Sequence, residues 1–255
     1  MKSESKQKFS LTGLLVVIGS LALLTAILIP AISRAKLQAD LHMVGSRGKD
    51  IFVVIVGANT MSEFPANLWP KAQIDGEDNR NVAEAQDIIE IMFQNSTRYF
   101  YVLLDGENRF EPSKFAPYVN GLDWSKLAGA GVPELSGRGE LQPENNMWSI
   151  AGNISDDMED LVPLLVTRNV DCSSFHIKTQ ANPDTPLRWS QQYVTPFGSK
   201  GFVIVRKGGA VFRGTAKYAT TGAVYPVGGG VQSVAGNTNL ASLVYLTPDG
   251  IAYPK

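Results

Sequence analysis

From Leu11 to Ile32 the chain carries no charged side chain, and most positions are apolar. As a helix, these roughly 22 residues extend about 33 Å, which matches a hydrocarbon core of about 30 Å. A single helix satisfies its own backbone hydrogen bonds in lipid, so the run predicts a membrane span over 11–32. Beyond Pro30 the pattern changes. Leu37, Leu41, Val44, Ile51, Phe52, Ile55 and Ala58 recur at steps of mostly three and four, with Gly48 on the same stripe. That is the period of an amphipathic helix. Arg34, Lys36, Gln38, Asp40, Arg47 and Asp50 take other faces, and His42 falls at the packing boundary. Pro30 removes one backbone donor and kinks the helix without ending it. The pattern therefore predicts one helix from about Phe9 to about Asn59, near 75 Å long.

A polar connector follows over 62–81, with Pro65, Pro70 and a Trp69 suited to docking on the helix. A second helix is predicted over 82–94, capped by Asn81 with Glu84 completing the start. Arg98–Leu104 is aromatic and β-prone, and Asp105-Gly106 ends it as a turn. The stretch 112–143 reads as irregular, with a short helical turn at 123–128. A helical turn at 156–161, capped by Ser155, lies between two predicted strands, 148–151 and 164–167. Strands 201–206 and 210–214 flank Lys207-Gly208-Gly209, a hairpin signal. Residues 223–225 and 240–246 add edge strands, and Asp249-Gly250 makes the last turn. The fold class is α+β: a long N-terminal helix as spine, packed on an antiparallel sheet.

Composition narrows the function. The chain has 255 residues, enough for one or two domains. It divides into a basic leader at 1–8 (Lys2, Lys6, Lys8), a spine helix at 9–60 and a head at 61–255. Net charge is −1, so nothing favours nucleic acid as partner. Cys172 is the one cysteine, which excludes an intrachain disulfide; it reads as a small buried residue. No paired His or Cys ligands, nucleophile elbow or Walker loop is present. Gly129-Ala130-Gly131 precedes Val132-Pro133 and reads as a loop. Asp171, Ser173 and His176 lie too close along the chain to converge as a triad. Asp75-Gly76-Glu77-Asp78-Asn79 offers oxygen ligands but lacks EF-hand spacing, and reads as a solvated turn. Trp69, Trp124, Trp148 and Trp189 read as core or cover residues. The residues point to no enzyme, no cofactor and no metal. The apolar run is longer than a secretory signal's core, and Ala31-Ile32-Ser33 is a poor cleavage site.

The segment KFSLTGLLVVIGSLALLTAILIPAISRAKLQA resembles the N-terminus of type IV pilins and type II secretion pseudopilins. In that family a basic leader ends in Gly; a Phe follows, then a Glu one helical turn later, an apolar helix, and a Pro. This chain matches with its leader, Phe9, the Ser10-Leu11-Thr12 step, the run Leu14 to Ile18, and Pro30 at the family's offset. The resemblance implies a processing junction at Lys8 and Phe9. It also implies an assembly helix presenting Gly13, Leu14, Leu15, Val17, Ile18, Leu21, Leu24, Leu28 and Pro30. Gly19, Ser20 and Ala26, with Gly13, are the small residues that let helices approach. The implied protein is a single-pass subunit of the inner membrane, N-terminus cytoplasmic and head periplasmic. Its partners would be membrane lipid, copies of itself, other pilin-like subunits, and secretion or pilus machinery. Two positions depart from the family. Lys8 stands where prepilin peptidase cleaves after Gly, and Gly13 replaces the Glu, removing a buried charge from the span. Both departures favour an alternative: an uncleaved, single-pass, periplasmic binding module that forms no filament.

Overall fold

The computed structural model describes residues 11–61, 69, 92–104, 124–135, 141–154, 158–175, 184–224 and 243–254. The chain separates into two compact units, one ending at Ala39 and the other running from Asp40 to the C-terminus. The fold is α+β. Helix α1, Leu11–Met61, is 51 residues long and continues through Pro30. Helix α2 is Ser96–Leu104. The strands are β1 Trp148–Gly152, β2 Pro163–Thr167, β3 Gly201–Arg206, β4 Val211–Thr215, β5 Val244–Leu246 and β6 Ile251–Ala252. They form one six-stranded antiparallel sheet in the order β4-β3-β2-β1-β5-β6. The first four make a meander; β5 then returns to pair with the free side of β1.

Within the second unit, the later half of α1 is the spine of the sheet. Leu41, Val44, Ile51 and Ile55 are buried to 1% exposure or less, each side chain contributing about 1.5–3 kcal/mol by leaving water. Gly45 and Gly48 let the helix close on the strands. A Cβ at Gly48 would lie 2.7 Å from Trp148 Cη2 and from Val205 Cγ2, and one at Gly45 would meet the Arg213 guanidinium. Polar contacts fix the flanks. Arg47 donates to the carbonyls of Ser125 and Ala128, both at 2.6 Å. Lys49 donates to Gly209 O at 2.8 Å, and Lys126 pairs with Asp50 at 2.9 Å. Gly129, at φ +117°, admits Arg47 where a Cβ would collide with it. The expected loop at 129–131 is thus a seat for α1. His42 sits on the exposed side of the helix, not at the packing boundary that the stripe suggested.

The sheet's opposite face is also covered. Phe202 meets Trp189 and Phe212, and Phe175 packs edge-on against Tyr245. The Arg206 guanidinium donates to the carbonyls of Leu161, Ala223 and Val224. Strands β1, β2 and β3 are therefore buried at every position. This explains why their sequences are mostly apolar on both faces, since an antiparallel strand with one wet face alternates.

Several expected elements differ. Of the edge strand expected over 240–246, the described residues Val244–Leu246 form an inner strand paired with both β1 and β6. Arg98–Leu104 is helix, because Asn95 caps it: Asn95 Oδ1 accepts from Arg98 N at 2.7 Å and its carbonyl from Tyr99 N at 3.0 Å. Ser96 and Thr97 are buried in a polar knot with Asn146, whose amide donates to both hydroxyls, while Ser96 Oγ donates to Trp148 O. Asn95→Ala is expected to cost about 1 kcal/mol through the lost cap, read as a shift in the unfolding midpoint at unchanged slope. Residues 221–224 form a one-turn helix, so Ala223 and Val224 of the edge strand expected at 223–225 are helical; Thr221 N bonding to Thr185 O positions the turn. The turn expected at 123–128 is a 3-10 turn at Trp124–Leu127. Most of the helix expected at 82–94, the acidic segment 75–79 and residues 155–157 lie outside the described residues, as do Lys8, Phe9 and His176. Of the helical turn expected at 156–161, the described residues 158–161 are bend and turn without a helix.

Candidate membrane and assembly helix

In the first unit, every described residue from Leu11 to Lys36 is exposed. The large apolar side chains range from Leu14 at 44% to Leu11 at 80%. This part of α1 is long and apolar enough to cross a membrane, with a mean hydropathy of 2.6 over its most apolar window. At about 100° per residue, Leu14, Val17, Ile18, Leu21, Leu24 and Leu28 gather on one face. Leu15 lies off that face, and Pro30 falls nearly opposite it, beside Val16, Leu23 and Ile27. The segment is thus apolar all round, the pattern of a helix surrounded by nonpolar material. Its small residues are not spread evenly. Gly19 and Ala26, with Ala22 between them, form a separate flank, and nothing lies within 4 Å of a Cβ built on Gly19.

Three hydroxyls in this stretch are bonded back to the helix itself. Ser20 Oγ donates to Val17 O at 2.8 Å, Thr25 Oγ1 to Leu21 O at 2.8 Å, and Ser33 Oγ to Ile29 O at 3.0 Å. Each thereby needs no water, which lowers the cost of placing a polar group in hydrocarbon.

Among the described residues of the second unit, several chemistry-bearing side chains have structural tasks. Cys172 is buried, and burial pushes its thiol pKa far above the usual range, so it is held as the inert thiol. Asp171 Oδ1 accepts from Ser173 N at 3.0 Å and Ser173 Oγ at 2.6 Å, capping the 3-10 turn Cys172–Ser174. Trp69 and Trp148 are buried, while Trp124 and Trp189 are half-buried. Among the described residues, no group of three or more His, Cys, Asp or Glu side chains is placed to hold a metal ion.

Sequence reasoning missed Arg168 altogether. This side chain is 6% exposed. It donates to the carbonyls of Pro143 (2.7 Å), Glu144 (3.1 Å), Asn146 (2.8 Å) and Thr195 (3.2 Å), and to Thr195 Oγ1 (2.7 Å). It also lies over the Tyr193 ring at 4.7 Å. Burial lowers its pKa, yet a guanidinium stays charged in proteins. Its role is to gather two loops at the end of the sheet. Compared with known proteins, no family model, no curated protein and no solved structure matches this chain.

Proposed function

We propose that this chain is a pilin-like or pseudopilin-like structural subunit, anchored in the inner membrane through 11–32 and acting by helix–helix assembly. The N-terminus would be cytoplasmic and the head periplasmic, in a type II secretion or type IV pilus-like system. One observation carries the reading: α1 begins as an exposed helix, apolar on every side, and ends as the buried spine of an antiparallel sheet. The resemblance of its first turns, with Phe9 and Pro30 in register, supports the same assignment. The two flanks of the span suit unlike contacts. The leucine-rich face of one helix fits the small-residue flank at Gly19, Ala22 and Ala26 of the next. Such a contact is heterologous, and repeating it extends an assembly instead of closing a dimer.

Leu21 lies at the middle of the uncharged run. An arginine there costs about 2.5–3.5 kcal/mol at the centre of a membrane helix and interrupts the leucine face. Leu21→Arg is therefore expected to abolish cross-linked oligomers in membranes while the second unit keeps its protease resistance. Normal assembly of this variant would overturn the packing model.

Lys8 and Gly13 favour the second reading, an uncleaved anchored binding module without filaments. Intact mass and N-terminal peptide mapping of the membrane protein separate the two. A chain beginning at Phe9 supports the subunit; one that retains Met1 or Lys2 supports the module.

A further inference from the structure

Immediately past the uncharged span, α1 reads Ser33-Arg34-Ala35-Lys36-Leu37-Gln38-Ala39, with no carboxylate before Asp40. Arg34 and Lys36 are exposed, and neither makes a hydrogen bond or ion pair among the described residues. Ser33 does not engage them, because its hydroxyl is bonded back to Ile29 O. Helical rise places Arg34 about 3 Å and Lys36 about 6 Å beyond Ile32. The polar layer of a bilayer is about 5–8 Å deep on each side of the hydrocarbon. Both cations fall inside that layer, while Asp40, about 12 Å beyond Ile32, falls outside it. Successive positions on a helix turn by about 100°, so the two cations project to different sides of α1 and meet different lipids.

Resting on the anchor reading above, we infer that the turn 33–39 is a binding site for anionic phospholipid headgroups at the Ile32 end of the span. Arg34 supplies the fork that matches phosphate oxygens, and Lys36 a point charge. Each basic group near an anionic surface favours association by about fivefold, the equivalent of about 1 kcal/mol.

The test uses the full chain in phosphatidylcholine bilayers carrying either spin-labelled phosphatidylglycerol or spin-labelled phosphatidylcholine. The expected result is preferential immobilisation of phosphatidylglycerol. Replacing both cations, R34Q with K36Q, should lower that preference at least about twofold when averaged over all boundary lipids. Exchanging them, R34K with K36R, should keep it. A triple replacement of Lys2, Lys6 and Lys8 by Gln, acting at the other end of the span, should leave the contribution of Arg34 and Lys36 in place. Unchanged preference in the R34Q/K36Q chain, which still floats with neutral vesicles, overturns this inference alone. A wild-type chain that fails to float with neutral vesicles overturns the anchor reading as well.

Discussion

Replacing Arg168 by Met is expected to destabilise the second unit by about 3–5 kcal/mol. The methionine preserves much of the buried stem but removes every donor. Four carbonyls, from Pro143, Glu144, Asn146 and Thr195, then lose a partner together with the Thr195 hydroxyl. Each buried polar group left unpaired costs about 1–3 kcal/mol. Part of that sum is returned, because the variant no longer holds a desolvated charge. Some of these oxygens lie near enough to the surface to recover water. The cation over the Tyr193 ring is a further loss of about 0.5–2 kcal/mol. Arg168→Lys should regain less than half, since one ammonium with three donors cannot span five acceptor atoms. Denaturant unfolding of the full chain in detergent, followed by proteolysis of the unfolded fraction, reads the change. A loss under about 1 kcal/mol for Arg168→Met would show that the guanidinium does not hold the two loops.

Trp148→Ala is the second large effect, again about 3–5 kcal/mol. Trp148 is fully buried on β1. Its ring supports α1 at Gly48, and its indole N–H donates to Lys126 O at 3.2 Å. Truncation opens a cavity between helix and sheet and orphans that carbonyl. For a unit of this size the melting temperature should fall by roughly 6–20 °C. The contact with Gly48 yields a sharper check. In the native background, Gly48→Ala should destabilise, although alanine is the better helix former by about 1 kcal/mol, because the new methyl lies 2.7 Å from Trp148 and from Val205. In the Trp148→Ala background the same methyl enters vacated space on one side. The two substitutions should therefore couple by about 0.5–3 kcal/mol, the double variant being more stable than the sum of the singles. Additive losses would mean that Gly48 and Trp148 do not share this packing.

Much of the architecture was legible because it rests on local pattern. A charge-free run of membrane length is a property of consecutive residues, and so is the stripe at Leu41, Val44, Gly48, Ile51 and Ile55. Strands β1 to β4 emerged within a residue or two because apolar β-formers are bounded by turn residues, and Gly209 takes the positive φ that the β3–β4 turn needs. Residues 98–104 misled because Tyr, Phe and Val favour strands only weakly and context overrides them. The cap at Asn95 and the knot around Asn146, some fifty residues away in sequence, decide for helix. The same holds for 221–224, where pairing with the 185–187 segment sets the backbone.

By itself, the sequence determined the apolar helix long enough to cross a membrane, its passage through Pro30, the strands β1 to β4 with the β3–β4 hairpin, and the burial of Cys172. Each follows from short-range periodicity, or from the cost of moving one residue type between water and a nonpolar medium. The tertiary structure alone decided that β5 returns beside β1, that both faces of the sheet are covered, and that Arg168 and Arg206 are buried cations whose guanidinium groups donate to backbone carbonyls. No local pattern announces those features. An arginine in a loop is the same residue whether it meets water or the carbonyls of another loop, and only the chain's return to that place supplies the acceptors.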